Sequence, residues 1–351
     1  MKRIGMVLLL SLLVAGGAAF AQSNVDFAAL QSDFTQFATD VSSSLPTAAT
    51  MGLNWSSAYV GQLPHFGVGV AAGFMSVPIT GIDQIGSDLG IGSLSEALQQ
   101  NLGQYSGLVG MPIPAAVVEA RLGGILLPFD VGIKAGFIPA EEQAALQAEL
   151  PAGMNVNFHL YGASVRFPLT KETFLMPHIS IGAAVNHFDG QLIIPGSASG
   201  LSSVEIASFT TPDGQTQNLE LTSPDVQFNW ASNSIDANIE ISKTILYIVT
   251  PYIGLGASYG VSTAGGGVTS QLLDNGSPIT PDQISQIEQF YGQTLNLSDT
   301  GFTVTAPASG LSARVYGGLS LNLLILKLDV TGIYNLSTGL VGVTVGTRIQ
   351  I

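Results

Sequence analysis

Residues Leu311–Ile351 read LSARVYGGLSLNLLILKLDVTGIYNLSTGLVGVTVGTRIQI, and this stretch decides the fold. Polar and apolar residues alternate along it with a period of two, in three successive runs. Within each run the charged side chains all belong to the polar set: Arg314 in the first run, Lys327 and Asp329 in the second, and Arg348 in the third. Large aliphatic residues such as Leu319, Leu328 and Val343 belong to the other set. Because successive side chains of a strand point to opposite faces, the pattern predicts three strands with one apolar and one polar face.

The same alternation recurs upstream and extends the prediction to the whole chain. It indicates further strands around residues 51–59, 66–74, 118–122, 129–137, 155–167, 179–185, 235–241 and 251–261. With the three C-terminal runs this makes eleven strands, and bacterial single-chain barrels use even strand numbers. The fold class predicted is therefore all-β, a transmembrane antiparallel β-barrel of 12–14 strands. Short connections alternate with four long ones: Ile79–Pro112, Pro139–Pro151, Asp189–Pro224 and Ser262–Gly310.

The composition supports a barrel over a soluble enzyme or a helical membrane protein. Charged residues make up 10% of the chain, glycine contributes 42 of 351 residues, and the mean hydropathy is +0.42. A typical soluble domain has about 25% charged residues. The longest uncharged stretches are interrupted by glycine and proline, which helix interiors disfavour. A barrel needs apolar residues only at every second position, and its lumen can be polar.

The residues give no sign of catalysis, of a cofactor or of a metal site. The chain has no cysteine, which excludes disulfides and thiolate ligands. The four histidines, His65, His159, His178 and His187, show no metal-ligand spacing. Gly256–Gly260 matches the pattern G-x-S-x-G, but that nucleophile motif needs a turn from strand to helix, and here it lies inside a glycine-rich strand. We therefore expect a protein that is not an enzyme.

The N-terminal residues have the pattern of a secretory signal peptide. Met1-Lys2-Arg3 precedes an uncharged run, and Ala19-Phe20-Ala21 has the small-x-small pattern of a cleavage site. The predicted organisation is a signal peptide over residues 1–21, a helical plug segment over 22–45 and a transmembrane barrel over 46–351. Export followed by barrel formation predicts location in an outer membrane.

The plug segment is predicted from helical spacing between Val25 and Val41. Apolar residues recur there at intervals of three and four, the spacing of one helix face. Four of them are expected to make the apolar contacts of the plug: Phe27, Leu30, Phe34 and Phe37.

Nine charged residues are predicted to line the lumen: Arg121, Asp130, Lys134, Asp236, Glu240, Arg314, Lys327, Asp329 and Arg348. If the turns are tight, Arg121 faces Asp130. Lys327 then lies between Asn322 and Arg348, and Asp329 is the diagonal neighbour of Arg348, within reach of a long side chain. Two interpretations remain open. The pairs satisfy a narrow polar lumen, or they form a constriction that selects solutes by charge.

The four long connections carry fourteen carboxylates and none of the eight basic residues that follow the signal peptide. This bias predicts an electronegative outer mouth that attracts cations. The alternative is a solvated surface that acidic side chains keep soluble.

With its export signal, its helical Val25–Val41 segment and glycine-rich strands such as Phe66-Gly67-Val68-Gly69-Val70, the chain resembles bacterial outer-membrane transport porins. Among these it is most similar to the long-chain fatty-acid transporter family. The resemblance implies a barrel plugged by its N-terminal segment, with an apolar substrate that enters at the outer mouth and leaves sideways.

Three functions stay open at this point. The first is passive uptake of small apolar or amphipathic, fatty-acid-like solutes. The second is a cation-preferring general diffusion porin, and the third is a surface-exposed adhesin or interaction protein anchored by a barrel. The partners expected are outer-membrane lipid, a small apolar or amphipathic solute and the barrel-assembly machinery during biogenesis, and not nucleic acid.

Overall fold

The computed structural model describes residues 27–52, 58–60, 65–78, 84–85, 111–123, 128–139, 141–142, 155–195, 203–210, 216–274, 276–285, 297–298 and 301–351. The predicted signal peptide and the first residues of the predicted plug lie outside these ranges.

One long helix precedes the strands. Helix α1 spans Phe27–Ala48. The strands are β1 His65–Val77, β2 Met111–Gly123, β3 Asp130–Phe137, β4 Asn155–Thr170, β5 His178–Ile194, β6 Ser203–Thr210, β7 Thr216–Ser242, β8 Val249–Asp274, β9 Ser277–Pro278, β10 Leu297–Ser298, β11 Gly301–Leu323, β12 Leu326–Asn335 and β13 Val341–Gln350. Among the helices in these ranges, none is both long enough and apolar enough to cross a membrane.

Ten of the strands close into an antiparallel barrel, which confirms the predicted fold class. The wall runs β1-β2-β3-β4-β5-β7-β8-β11-β12-β13, and β13 pairs with β1 to close it. The predicted number of 12–14 wall strands is wrong. Within the described residues, β6, β9 and β10 pair only with the ends of long wall strands and do not extend the circle.

The two ends of the barrel differ. At one end, called the turn end, short connections join β4 to β5, β7 to β8 and β11 to β12. At the opposite end, called the rim end, lie β6, β9 and β10. Strands β7 and β8 have 27 and 26 residues, whereas β12 and β13 have 10 each. Much of the two regions predicted as long loops, Asp189–Pro224 and Ser262–Gly310, is therefore strand, and the wall is tallest there.

In the half of the barrel nearer the turn end, called the turn half, side chains alternate between the outer and inner faces as the sequence predicts. Leu319, Leu328 and Val343 point outward and are exposed, whereas Arg314 and Arg348 point inward and are buried. The register is also the predicted one, since Lys327 pairs with Asn322 on β11 and with Arg348 on β13.

In the half nearer the rim end, called the rim half, the apolar side chains change from the outward to the inward positions of the strands. Along β7, Ile235, Ala237 and Ile239 point outward, but Phe228 and Trp230 are buried on the inner face. The same change occurs in β4, where Phe158 and Leu160 are buried inside, whereas Tyr161, Phe167 and Leu169 face out. Each of these strands is thus apolar on its outer face near the turn end and apolar on its inner face near the rim end.

Helix α1 occupies the barrel interior and contacts chiefly β8 and β11. It continues through Pro46 to Ala48, so the predicted boundary between residues 45 and 46 falls inside the helix. The strand predicted around 51–59 is also wrong where it can be assessed. Met51 is buried in a turn after the helix, and the first strand begins at His65.

Inward glycines make room for the plug and for large side chains. A Cβ atom built at Gly260 would lie 2.5 Å from Pro46 Cγ, and one at Gly256 would lie 2.5 Å from Arg314 Cζ. The glycine-rich strands therefore serve close approach, as glycine in a strand interior often does.

Candidate functional site

The interior of the barrel, with α1 inside it, is the candidate functional site. The structure places the nine predicted charged residues on the inner parity of their strands. Seven are buried: Arg121, Asp130, Lys134, Asp236, Glu240, Arg314 and Arg348. Lys327 and Asp329 on β12 are half-buried. The charged zone of the lumen is thus the turn half.

The most deeply buried ion pair in this zone joins Asp236 on β7 to Arg314 on β11. Arg314 Nη1 donates to Asp236 Oδ2 at 2.5 Å and Nη2 donates to Oδ1 at 3.1 Å. Ser258, on β8 between them, donates from Oγ to Asp236 Oδ2 at 2.7 Å. Bidentate pairs of this kind are among the strong hydrogen bonds of proteins. Ser258, the serine of the G-x-S-x-G pattern, is therefore part of a wall contact in mid-strand.

Asp130 pairs with Arg166 and not with Arg121 as predicted. Arg166 Nη2 donates to Asp130 Oδ2 at 2.6 Å, and Arg166 Nε donates to Oδ1 at 3.1 Å. The reason is the register. Asp130 lies opposite Gly123 on β2 and opposite Arg166 on β4, because the connection between β2 and β3 is longer than a tight turn.

The pair of Arg348 and Asp329 is the predicted diagonal contact. Arg348 Nη1 donates to Asp329 Oδ2, and Arg348 Nε donates to Gln350 Oε1 at 3.1 Å. A further contact links Tyr316 to Glu240, where the phenol donates to Oε2 at 3.2 Å. Tyr316 and Arg166 were missed as lumen residues, although both share the inward parity of charged neighbours on their strands.

Lys134 fixes the end of the plug, a role that its sequence context did not indicate. Its Nζ donates at 2.5 Å to the carbonyl oxygens of Ala49 and Met51, just after the end of α1. A cation at this position satisfies carbonyls that the helix leaves unpaired and interacts favourably with the negative end of the helix dipole.

Polar contacts along the last turns of α1 fix it to β11 and β12. Thr47 Oγ1 lies 2.7 Å from Ser312 Oγ, and Asn335 Nδ2 donates to Thr47 Oγ1 at 3.2 Å. One turn earlier, Ser42 Oγ donates to the Ala306 carbonyl at 3.2 Å. These bonds set the depth of the helix in the barrel.

The apolar face of α1 packs on the apolar zone of the lumen in the rim half. Phe34 and Phe37 are buried, and the ring of Phe37 meets that of Phe228 edge-on at 5.3 Å between centroids. The side chains of Phe27 and Leu30 lie outside the described part of the structure. The opposite face of α1 is exposed: Ser32, Thr35, Gln36, Thr39 and Ser43.

The wall of this apolar zone was not predicted. It includes Val156, Phe158, Leu160, Phe188, Leu192, Phe228 and Trp230, all buried. The change of parity between Leu160 and Tyr161, and between Trp230 and Ile235, is the sequence signal that could have located it.

On the outer face, on the rim side of the exposed apolar side chains such as Val185 and Ile235, the fold brings two of the histidines together. His159 Nδ1 lies 3.0 Å from Asp189 Oδ2, and His187 Nε2 lies 2.9 Å from Asp189 Oδ1. His187 Nδ1 also lies 2.8 Å from Asn233 Oδ1. Within the described ranges, no group of three or more His, Asp or Glu residues has the arrangement of a metal site.

No protein-family model and no curated protein matches the chain. Among solved structures, the chain is similar to a major outer membrane protein from Thermus thermophilus, at 8% identity and a TM-score of 0.29, over 82% of this chain and 99% of that one.

Two further barrels illustrate the range of similar structures. The transport unit of the autotransporter AIDA-I from Escherichia coli matches at 11% identity and a TM-score of 0.24, over 93% of this chain and 99% of that one. The toluene transporter TodX from Pseudomonas putida matches at 6% identity and a TM-score of 0.24, over 91% and 96%.

Proposed function

We propose that the protein is an outer-membrane barrel for passive uptake of small apolar or amphipathic solutes, with α1 as its plug. The observation that carries the proposal is the apolar zone of the lumen. A polar, water-filled pore has no need of Phe158, Phe188 and Trp230 on its inner wall, whereas an apolar solute that enters from the rim end would find contacts there.

Membrane embedding accounts for the outer face. The turn half presents a continuous belt of exposed side chains such as Ile133, Ile235, Leu255 and Leu319. Soluble monomers rarely expose contiguous apolar patches larger than a few hundred Å². An outward apolar band around a closed strand wall is the arrangement of outer-membrane barrels.

The turn half of the lumen suits the polar end of an amphipathic solute better than free ion flow. Its charges form close pairs such as Asp236–Arg314 and Asp130–Arg166, which reduces the field that a passing ion would meet. The resemblance to fatty-acid transporters, in which an N-terminal segment plugs the lumen, supports the same assignment.

The test loosens the plug without removing it. The double variant Phe34→Ala/Phe37→Ala deletes buried rings, and each Phe-to-Ala change in a core costs about 3–5 kcal/mol. The matched control is Thr35→Ala/Thr39→Ala, which changes the exposed face of the same two turns. Both are compared with wild type by steady conductance in planar bilayers and by uptake of a fluorescent fatty acid into proteoliposomes, after heat-modifiable gel migration has shown folding.

We expect wild type and the threonine variant to take up the fatty acid with little steady conductance, and the phenylalanine variant to conduct. Steady cation-preferring conductance of wild type without fatty-acid uptake would identify a diffusion porin instead. Neither uptake nor conductance in any variant would favour a barrel that only anchors a surface interaction.

A further inference from the structure

The turn end of the barrel carries large apolar side chains at the tips of three neighbouring turns. The apolar tips are Phe174 and Leu175 between β4 and β5, Leu246 and Tyr247 between β7 and β8, and Leu324 between β11 and β12. They are 95, 84, 81, 92 and 94% exposed, respectively. Turn tips facing water are ordinarily polar or glycine-rich, so these side chains require an explanation.

Backbone geometry strengthens that requirement. Leu246, Tyr247 and Leu324 have φ values of 51°, 62° and 58°. Turn positions with positive φ are usually occupied by glycine, asparagine or aspartate, and an L-residue with a Cβ loses roughly 1–2 kcal/mol in the left-handed region. Apolar residues occupy these positions in spite of that cost.

The β4–β5 turn has its carbonyl groups satisfied from within the protein. Lys243 Nζ donates to the carbonyl of Thr173, to that of Phe174 at 3.1 Å and to that of Met176 at 3.3 Å. Glu172 Oε1 lies 3.7 Å from the same Nζ and accepts the Thr244 amide at 3.0 Å. Such capping is unnecessary in water, but it is required where water is scarce.

The β7–β8 turn is also internally bonded. The Ile245 amide donates to the Val249 carbonyl at 2.7 Å, and the Ile248 amide donates to the Ile245 carbonyl at 3.1 Å. The Ile248 carbonyl accepts the Asn322 amide of β11 at 2.6 Å. Both turns therefore present side chains to their surroundings while much of their backbone is paired.

The apolar belt is short on β7, the strand that leads into the turn of Leu246 and Tyr247. On β7 it runs from Ile235 to Ile241, and Asn233, bonded to His187 of β5, marks its upper limit. Six steps at about 3.3 Å give about 20 Å of strand. At a tilt of about 40° that is about 15 Å of height, against an apolar band of about 25 Å in outer-membrane barrels. The turn tips lie where the missing part of the band would be.

We propose that the apolar tips are lipid contacts, set into the inner leaflet of the membrane, and that the Lys243–Glu172 pair allows this by capping the turns. The occupant is lipid because Leu324 directly continues the outward belt of Leu323, and because Leu246 and Tyr247 lie between the exposed Ile245 and Ile248. Lys243 keeps its charged end on the turn carbonyls, as long cationic side chains do beside apolar surfaces. This inference rests on the proposed membrane embedding.

The experiment uses the absence of cysteine from the chain. Single variants Phe174→Cys and Leu246→Cys are spin-labelled and folded into vesicles of phosphatidylcholine and phosphatidylglycerol. The accessibility of each label to oxygen and to a water-soluble nickel chelate is then measured by electron paramagnetic resonance. Leu328→Cys is the lipid reference, and Thr303→Cys, exposed on β11 near the rim, is the aqueous reference.

We expect the oxygen-to-nickel ratio of both turn labels to lie near that of Leu328 and well above that of Thr303. Ratios like that of Thr303 would overturn the proposal and leave the tips as a surface for a soluble partner. An aqueous ratio at Leu328 itself would instead reject the membrane embedding on which the proposal rests.

The role of the cap is tested with Lys243→Met in the Phe174→Cys background. Removing the cation leaves the carbonyls of Thr173 and Phe174 without that donor, so the label should move toward water and its ratio should fall. Lys171→Met, which removes an exposed lysine from the same turn, should leave the ratio unchanged. Equal ratios for the two variants would show that Lys243 does not act as the cap.

Discussion

Breaking the Asp236–Arg314 pair is expected to destabilise the barrel strongly. Both side chains are fully buried, and the two groups make two hydrogen bonds of 2.5 and 3.1 Å. Asp236→Asn keeps the shape of the carboxylate but removes its charge, which leaves the Arg314 guanidinium buried without its anionic partner.

The magnitude follows from two independent arguments. Charge centres about 4 Å apart at an effective dielectric constant of about 20 attract each other by about 4 kcal/mol. Breaking a buried ion pair by removing one partner destabilises proteins by about 3–5 kcal/mol. We therefore expect Asp236→Asn to lower the free energy of unfolding by about 3–5 kcal/mol.

Urea unfolding of vesicle-folded protein measures this, with the fluorescence of Trp230 as a probe inside the barrel. Asp236→Asn/Arg314→Met should recover most of the loss because it removes the uncompensated charge. The control Asp189→Asn breaks half-exposed contacts to His159 and His187 and should change stability by less than about 1 kcal/mol. A single variant within about 1 kcal/mol of wild type, or a double variant no more stable than the single one, would refute the reasoning.

Two further predictions concern the wall and the plug. Leu328→Arg places a cation on the outward belt and should cost about 2–4 kcal/mol in vesicle-folded protein, whereas Thr303→Arg near the rim should cost about 0–1 kcal/mol; equal costs would contradict the assignment of faces. Gly260→Val would drive a side chain into Pro46 and should raise the steady conductance, whereas Gly310→Val, directly opposite on β11 and with open space beside it, should not. Conductance unchanged by the first variant would mean that α1 does not depend on this contact.

The turn half of the barrel could be predicted from sequence because two of its signals agree. Alternation defined the faces of Leu311–Ile351, and tight turns fixed the register that pairs Lys327 with Asn322 and Arg348. The pairing of Asp130 could not be obtained in the same way. The partner of Asp130 is Arg166 on β4. Predicting this pair required the register between β2 and β3, and the alternation pattern does not show where the turn between these strands lies.

The rim half escaped prediction for a different physical reason. Along β7 the apolar residues move from odd positions at Ile235 to even positions at Trp230 and Phe228. In the proposed membrane embedding, this is because lipid lies outside one half of the strand and α1 lies inside the other. A search for one continuous apolar parity reads this change as the end of a strand. The prediction therefore assigned the rim portions of β7, β8 and β11 to loops, and it read the alternation around Met51 as a strand.

The pairing of β1 with β13 has a consequence for how the protein assembles. Gly67 meets Gln350 across this seam, so a loop of about 280 residues must close, at an entropic cost of about 5 kcal/mol before any contact is gained. Helix α1 precedes β1 in the chain and reaches its position most directly from the open side of the curling sheet, before the seam forms. Once the seam is complete, the helix can leave only along the barrel axis, past the carbonyl contacts of Lys134 at one end of the path. A chain whose seam closed too early would hold its apolar rim wall around empty space, with its own plug stranded outside. Whether the chain folds correctly thus depends on the order of two events: α1 docks first, and the seam between β1 and β13 closes afterwards.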